Sequence, residues 1–285
     1  MDRDSKIYIA GHNGMIGSVI KRKLEEEGYK NLIFRNSSEL NLEDQKATEG
    51  FFQKEKPEYV FDAAAKVGGI YANNTYRAEF IYKNTQIQNN LIHSSWKFNV
   101  KKLLFLASNC VYPKDCSQPI KESYLLSGYL EPTNQPFAVA KIAGVEMCQS
   151  YNKQYGTKFI SVVPANSYGP RDKYDNLNSH LISALLLKFH EAKINNKNEV
   201  IIWGTGEPRR EALYVDDLAD ACIFLMQKYD HSEIINVGTG EDRTIKEIAK
   251  IIKEITRFNG NLVFDTTKPD GMKRKLLDVS NINSL

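Results

Sequence analysis

The sequence predicts an α/β fold built on a doubly wound parallel sheet. Short apolar strands alternate with amphipathic stretches along most of the chain, which is typical of parallel strands covered by helices on both faces. A glycine-rich turn, Gly11-His-Asn-Gly14-Met-Ile-Gly17, joins the first strand to the first helical stretch. Together the two observations predict a nucleotide-binding sheet of the Rossmann type near the N-terminus.

The individual elements follow from the periodicity of apolar residues. Buried strands are predicted at 7–10, 32–34, 59–61, 103–106, 160–163 and 234–237. Amphipathic helices are predicted at 15–27, 45–55, 78–98, 137–155 and 215–228. Loops, basic residues and a short strand at 200–203 break this rhythm near the C-terminus. We therefore expect a cofactor-binding Rossmann domain from 1–170 and 213–237, and a smaller C-terminal substrate-binding lobe from 171–212 and 238–285.

Composition excludes several classes of protein. The 285 residues carry a net charge of +3 without a lysine/arginine block, which argues against a nucleic-acid partner. No signal-peptide apolar region follows Met1, and the helical stretch at Leu185 is too short to span a bilayer. We expect a cytoplasmic protein with no membrane partner. The cysteines show neither a disulfide framework nor metal spacing, so no metal is expected; they are Cys110, Cys116, Cys148 and Cys222.

The glycine turn has the spacing of a dinucleotide site. Gly11 would make the tight turn, Gly14 would let the backbone approach a pyrophosphate, and Gly17 would let the helix pack closely on the strand. Asn13, Met15 and Ile16 complete this loop. Arg35 ends the second strand, where NAD binders usually carry an acid. A cation there suits a 2′-phosphate and favours NADP(H), although a solvated arginine at a strand end is the structural alternative.

A second pattern concerns a reacting centre. Phe137 follows Ser108 by 29 positions and precedes Lys141 by four. This arrangement resembles the Ser…Tyr-x-x-x-Lys site of the extended short-chain dehydrogenase/reductase family, with Phe137 in the tyrosine's place. In that family the phenol gives a proton to a carbonyl oxygen while a nicotinamide delivers hydride, the lysine holds the nicotinamide ribose, and the serine bonds the carbonyl. The resemblance implies a reductase that lacks its usual proton donor.

Longer stretches resemble one group of this family, the GDP-L-fucose synthases. They are Ala10-Gly-His-Asn-Gly-Met-Ile-Gly17, Ala64-Ala-Lys-Val-Gly-Gly-Ile70, Cys110-Val-Tyr-Pro-Lys114, Glu131-Pro-Thr-Asn134, Asn178-Ser-His180 and Lys268-Pro-Asp-Gly271. The resemblance implies NADPH-dependent C4 reduction of a GDP-4-keto-6-deoxy sugar, preceded by 3,5-epimerisation. It also implies a homodimer packed through the helices at 78–98 and 137–155.

The resemblance assigns roles to further residues. Cys110 would be the base and His180 the acid of epimerisation, whereas the structural alternatives are a small core hydrophobe and an ordinary hydrogen-bonded histidine. Beyond the glycine turn, Arg35 and Lys141, the implied cofactor contacts are Asn41, Leu42, Ala64, Lys66, Pro164, Asn166 and His180. The implied substrate contacts are Ser108, Asn109, Asn166, Lys188, Trp203, Arg210 and Asp270. For Ser108, Lys141 and Arg210 the structural alternatives are a backbone cap, a solvated helix lysine and a solvated loop.

Departures from the group's pattern leave the activity open at several points. Ala107 and Asn109 flank Ser108 where glycine and serine are usual, so the sugar is a hexose or a heptose and epimerisation is either retained or lost. Lys188 stands where an arginine is usual. Phe137 was either introduced to trap a substrate or is natural in a slow enzyme, and retention of the other site residues favours the first explanation.

A 4,6-dehydratase or 4-epimerase is a further alternative, although Asn109 argues against a dehydratase. A non-catalytic NADP-binding protein is another, which Phe137 supports.

Overall fold

The computed structural model describes residues 1–175, 179–268 and 270–285. Asn178 and Pro269, which belong to two of the motifs quoted above, lie outside the described residues. The strands are β1 (Ile7–Ala10), β2 (Leu32–Ile33), β3 (Tyr59–Asp62), β4 (Lys102–Leu106), β5 (Phe159–Pro164), β6 (Asn166–Tyr168), β7 (Glu199–Trp203), β8 (Arg209–Tyr214), β9 (Ile235–Val237), β10 (Asp242–Thr244), β11 (Asn261–Asp265) and β12 (Arg274–Lys275). The α-helices are α1 (Met15–Glu26), α2 (Gln45–Glu55), α3 (Ile70–Thr75), α4 (Arg77–Lys97), α5 (Gln135–Tyr155), α6 (Leu181–Ile194), α7 (Val215–Lys228), α8 (Ile245–Thr256) and α9 (Ser280–Asn283).

The central sheet has six parallel strands in the order β2-β1-β3-β4-β5-β9. The chain runs from β1 to β2 on one side and then crosses to β3 on the other side of β1. In open α/β sheets, ligands bind outside the carboxyl ends of the strands at such a reversal of direction. The predicted doubly wound parallel fold is therefore confirmed, and the crevice between β1 and β3 is the place to look for a ligand.

The strands of the central sheet are mostly apolar because helices cover the sheet. Helix α1 packs against α7, while α2, α4 and α5 pack side by side, and both groups contact the central strands. Strands β1, β4 and β5 are buried along their whole length, as expected for parallel strands with no polar face. The boundaries differ slightly from prediction, since β2 ends at Ile33, β9 begins at Ile235 and α5 begins at Gln135.

A second hydrophobic cluster lies apart from the hydrophobic core around the central sheet. Helices α6 and α8 pack against each other, and the small parallel sheet of β7 and β11 lies beside them. Phe189 of α6 and Phe258, just past α8, meet at a ring-centroid distance of 5.7 Å in this cluster. The sequence predicted β7 and a short helical stretch at Leu185 within α6, but neither β11 nor α8. The boundaries of the smaller lobe stay a prediction. No helix in the described ranges has the length and apolar character needed to cross a membrane.

Two buried polar side chains tie the C-terminal segment to the central sheet. Glu211 of β8 accepts the amide hydrogen of Leu277 at 2.9 Å. Asn236 of β9 donates to the carbonyls of Ile120 and Asp278, at 2.9 and 3.1 Å. The amide of Asp278 in turn donates to the carbonyl of Ile120 at 2.8 Å. Residues after β12 are thus held against the loop that follows β4.

Candidate active site

The glycine turn leaves room for backbone only. Gly11 has φ +78°, and a Cβ there would lie 2.5 Å from the carbonyl oxygen of Ala63 at the end of β3. A Cβ on Gly17 would lie 2.3 Å from the Gly11 oxygen, so α1 can start this close to β1 only with glycine. The exposed Asn13 and Gly14 lead into α1, whose first residues, Met15 and Ile16, are half-buried. This cradle at the β1–β3 crevice fits a dinucleotide pyrophosphate.

Arg35 lies just past β2, as predicted, and is already paired. Its guanidinium donates to Glu55 of α2 at 3.0 Å and to the carbonyl of Phe34 at 2.8 Å. It also lies 5.7 Å from the ring centroid of Phe51. Glu55 is shared with Lys6, at 3.1 Å. Arg35 can therefore bind a 2′-phosphate only if the phosphate shares the guanidinium with Glu55 or replaces Glu55 as its partner.

The other predicted cofactor residues lie along the same edge. The Asn41 side chain accepts the amide hydrogen of Glu43 at 3.1 Å, and the Leu42 carbonyl accepts from Asn90 of α4 at 2.8 Å. Ala64 lies two residues past the end of β3. Lys66, two residues later, pairs with Glu79 at 2.9 Å. Pro164 is buried at the end of β5, and Asn166 begins β6 with its side chain exposed.

The loop after β4 brings three predicted site residues together. Ser108 caps a short 3₁₀ turn, Asn109–Val111, and its hydroxyl accepts the amide hydrogen of Cys110 at 3.4 Å. Asn109 donates to Asn166 at 3.2 Å, which joins the ends of β4 and β5. Burial raises the pKa of Cys110, although nearby Lys275, Ser108 and Lys141 favour its thiolate. The resting thiol is thus protonated but has cations beside it.

Lys141 is buried in the sheet-facing side of α5. It is 3% exposed, so the alternative of a solvated helix lysine is wrong. Its ammonium donates to the carbonyl of Leu106 at 2.8 Å, two residues before Ser108, and lies 4.5 Å from the Phe105 ring centroid. Burial lowers the pKa of Lys141, and the charge of Asp62 opposes this.

Asp62, at the end of β3, is a buried carboxylate that the sequence did not single out. It is 1% exposed, and its register partner on β4 is Phe105. One oxygen accepts the amide hydrogen of Ala64 at 3.2 Å, while Oδ2 has no hydrogen-bond partner among the described residues. Burial raises the pKa of Asp62 to about 6, against the attraction of Lys141. The charges of Asp62 and Lys141 therefore attract each other with little screening, although the two side chains form no direct ion pair among the described residues.

Phe137 lies in the first turn of α5, one helical turn before Lys141. Its ring is half-buried and meets Phe80 of α4 edge-on, with a centroid distance of 6.1 Å and an interplanar angle of 83°. Residues four apart lie on one face of a helix, so the Phe137 ring and the Lys141 ammonium lie on the same face of α5. A hydrocarbon ring occupies the position that the motif assigns to a phenol.

The predicted sugar-nucleotide residues lie around β7 and β8. Trp203 is 60% exposed, with the ammonium groups of Lys188 and Lys268 at 5.5 and 5.7 Å from its ring centroid. Arg210 is bound through the carbonyls of Arg209 and Met272, at 2.8 and 2.7 Å. Among the described residues Arg210 forms no ion pair, although the charge of nearby Asp270 partly offsets the cost of burying its guanidinium.

Two further residues complete this side of the site. Asp270 accepts from the Thr205 amide at 2.6 Å and from its hydroxyl at 2.8 Å, closing the loop beside Trp203. Lys275 of β12, which sequence reasoning missed, pairs in register with Arg210. Burial lowers the pKa of Lys275, and the thiolate form of Cys110 opposes that shift most strongly. Lys275 thus links the sugar-nucleotide side to the loop after β4.

His180 lies immediately before α6 and is joined to the loop after β6. Its Nδ1 lies 3.2 Å from Oδ1 of Asp172. The Asp172 side chain is 5% exposed, whereas that of His180 is 43% exposed and thus open to solvent. The structure gives no contact that joins His180 to Cys110 among the described residues, so their opposition across a sugar stays a prediction.

Comparison with known proteins agrees with this geometry. A family described as "NAD dependent epimerase/dehydratase family" matches residues 7–238. GDP-L-fucose synthase 1 of Arabidopsis thaliana is 54% identical over 284 residues, covering 100% of this chain and 88% of that protein. The GDP-L-fucose synthase of Escherichia coli (strain K12) is 50% identical, covering 98% and 90%. A solved GDP-mannoheptose C4 reductase from Campylobacter jejuni with NADP bound has a TM-score of 0.90 at 43% identity, covering 100% and 93%.

The matches to individual proteins extend over both hydrophobic clusters, whereas the family match ends at residue 238, before α8. The resemblance to the GDP-L-fucose synthases drawn from the motifs is confirmed, whereas the interpretation of Phe137 as a replaced tyrosine stays a prediction. The chain belongs to the NAD dependent epimerase/dehydratase family and, within it, to the GDP-L-fucose synthase group.

Proposed function

We propose that this protein catalyses the NADPH-dependent C4 reduction of a GDP-4-keto-6-deoxy sugar, preceded by 3,5-epimerisation. The observation that carries the proposal is the buried Lys141 ammonium, bonded at 2.8 Å to the Leu106 carbonyl two residues before Ser108. This hydrogen bond supports a reacting centre where the C-terminal end of β4 meets the N-terminal half of α5. The relatives named above are GDP-L-fucose synthases, and a related C4 reductase has NADP bound.

Epimerisation requires a base and an acid at the carbons flanking the ketone. A C4 carbonyl acidifies the protons on C3 and C5, so a base can remove each proton and an acid can return one on the opposite face. Cys110 is assigned as the base, because Lys141 and Lys275 stabilise the thiolate that its burial disfavours. His180 is assigned as the acid, since its exposed ring can take up a proton from solvent.

Reduction follows at C4. NADPH, when bound in the glycine cradle, supplies the hydride. Ser108 remains as a hydroxyl donor to the developing alkoxide, and Lys141 holds a positive charge behind it. Phe137 cannot donate a proton. Loss of a positioned general acid costs about 10²–10⁴ in rate, so we propose that the protein binds its ligands and turns over slowly.

The substrate has its own set of supporting contacts. Trp203 offers an exposed aromatic face between two lysines, and Arg210 offers a planar fork for a diphosphate. Lys188 carries the charge without the bidentate geometry of arginine. We assign the sugar-nucleotide to the lobe of residues 171–212 and 238–285, because these residues lie there. We favour the hexose over the heptose, since the 50% and 54% identities are to fucose synthases.

Restoring the phenol tests the proposal. NADPH oxidation and NMR analysis of the product would be compared for the parent, Phe137→Tyr and Phe137→Leu, with GDP-4-keto-6-deoxymannose and a heptose analogue. We expect Phe137→Tyr to gain about a hundredfold or more in rate, and Phe137→Leu to gain nothing because it lacks a hydroxyl. No gain for Phe137→Tyr with either sugar would reject the reductase.

A non-catalytic binding protein is the second candidate, and Phe137 is the observation that favours it. Calorimetry separates the two candidates. A protein that binds NADPH and GDP-sugar, yet gains no activity in Phe137→Tyr, is a binder. A protein that binds neither ligand refutes both.

We also propose a homodimer through α4 and α5. Apolar side chains on these helices are exposed, including Ile81, Tyr82 and Val139. An open cleft of about 360 Å³ runs between the helices, with Arg77, Gln135 and Pro136 among its lining residues. We expect Ile81→Asp to shift the sedimentation coefficient from that of a dimer to that of a monomer, whereas a dimer unchanged by this substitution would place the interface elsewhere.

Because NADPH is a cytoplasmic reductant, we place the reaction in the cytoplasm.

A further inference from the structure

Asp172 is a buried carboxylate beside a half-exposed imidazole, in the loop between β6 and α6. Its side chain is 5% exposed, whereas that of His180 is 43% exposed. Aspartate is seldom this buried unless its charge is compensated. The compensation here comes from donors on three sides.

The carboxylate is held at both oxygens. Oδ1 accepts the amide hydrogen of Lys173 at 2.8 Å and faces His180 Nδ1 at 3.2 Å. Oδ2 accepts from the hydroxyl of Ser183, in the first turn of α6. Burial raises the pKa of Asp172, but the bonds from His180 and Ser183 outweigh it and leave the pKa below its ordinary value. Asp172 is therefore ionised at neutral pH.

Helix α6, which carries Ser183, also fixes the backbone of His180. His180 immediately precedes α6, and its carbonyl accepts the amide hydrogen of Ala184 at 2.8 Å. Ser183 lies on that first turn and grips the far oxygen of Asp172. The helix thus fixes both the histidine backbone and the carboxylate that its ring meets.

We propose that Asp172 is a positioning residue for His180. Its ionised oxygen can only accept, so Nδ1 of His180 must carry a proton and donate it to Asp172. This fixes the tautomer and the plane of the ring, and it leaves Nε2 as the nitrogen that exchanges protons with the sugar. The inference rests on the proposed role of His180 in epimerisation.

The proton balance of the step is complete. Imidazolium at His180 gives its Nε2 proton to the enolate carbon, and the ring becomes neutral with its Nδ1 proton still bonded to Asp172. Solvent then returns a proton to Nε2 at the exposed side of the ring. Asp172 stays ionised throughout and stabilises the imidazolium form.

Two substitutions separate the charge of Asp172 from its hydrogen bond. Asp172→Ala removes both, whereas Asp172→Asn keeps an acceptor for Nδ1–H without the charge. Asp217→Asn, on the exposed side of α7, is the matched control because it removes one acidic charge from a residue with no assigned role. Nitrogen-15 NMR of histidine-labelled protein reports the tautomer, and His180→Gln identifies the signal. Deuterium incorporation into GDP-4-keto-6-deoxymannose in D₂O reports proton exchange at each carbon.

In Asp172→Ala we expect the Nδ1–H tautomer to give way to Nε2–H. We also expect reprotonation at the inverted carbon to slow about tenfold or more, with KM within about threefold. Asp172→Asn should keep the tautomer and lose about threefold to tenfold in exchange, and Asp217→Asn should match the parent. The Asn variant decides the case if the Ala variant does not fold.

An unchanged tautomer in Asp172→Ala, or exchange in Asp172→Asn within about twofold of the parent, would overturn the inference. A parent protein that exchanges no deuterium with any GDP-4-keto sugar would instead defeat the proposed function. The tautomer measured in the parent and the Ala variant would then decide the positioning role alone.

Discussion

Replacing Asp62 by asparagine should stabilise this protein, although it removes the partner of a buried lysine. Asp62 is 1% exposed and its Oδ2 has no hydrogen-bond partner among the described residues. Ionising such a group costs more in the folded chain than in the unfolded one. Asparagine has nearly the same shape, keeps an acceptor for the Ala64 amide and has no charge.

The magnitude follows from the shift in ionisation. Burial raises the pKa of Asp62 from 3.8 to about 6, a value that already includes the attraction of Lys141. Because the folded pKa is the higher one, stability is lost as pH rises from about 4 through about 6. At about 1.4 kcal/mol per pH unit, the loss is about 3 kcal/mol at pH 7 and about half of that at pH 5. Asp62→Asn should recover these amounts.

Urea unfolding at pH 5 and pH 7, at one protein concentration and without cofactor, measures both values. The gain in the free energy of unfolding should be larger at pH 7. Asp62→Ala is a control for packing, because it removes the charge but also leaves a cavity. An Asp62→Asn protein less stable than the parent at pH 7 would refute the reasoning, since the attraction of Lys141 would then outweigh the cost of burial.

Three further predictions concern other parts of the chain. Asp230 pairs with Lys102 and Lys158, which lowers the pKa of Asp230 to about 2. The ionised carboxylate therefore stabilises the fold above pH 4, and this stabilisation is lost toward pH 2. Asp230→Asn should lower the urea midpoint at pH 7 but not near pH 2. Arg35→Ala should weaken NADPH binding about tenfold and leave NADH binding unchanged in calorimetry, whereas equal losses would mean that Arg35 acts only through Glu55. Gly17→Ala should cost about 1–3 kcal/mol and abolish NADPH binding, because its Cβ would lie 2.3 Å from the Gly11 oxygen; a folded variant with the parent's affinity would contradict this.

The sequence predicted the central sheet well because its strands are buried on both faces and read as unbroken apolar runs. Gly11, Ser108 and Pro164 could be placed at one edge, since the carboxyl ends of parallel strands share it. Only a short helical stretch at Leu185 was predicted within α6, because apolar residues lie almost all round this helix and no polar face marks its full length. Helix α8 carried an available signal, the Thr244–Glu247 capping box, which the structure shows formed.

Other site features could not be read from local sequence. Asp62 reads as an ordinary polar residue at a strand end, and its burial depends on where α5 places Lys141. Lys275 reaches the loop after β4 only through pairing of β12 with β8 and of Leu277 with Ile120. Asp172 gave no signal until the fold brought it to His180. Each of these depends on contacts between segments that local periodicity does not describe.

The ties made by Asn236 and Glu211 constrain how sugar preference can be transplanted between relatives. Lys275 lies on a strand whose continuation is anchored to Ile120, a residue of the loop after β4. A chimera that swaps only the C-terminal portion would pair one parent's tail with the other parent's anchor. Successful grafts should therefore carry the 112–124 segment along with the sugar-nucleotide lobe, as a single exchangeable unit.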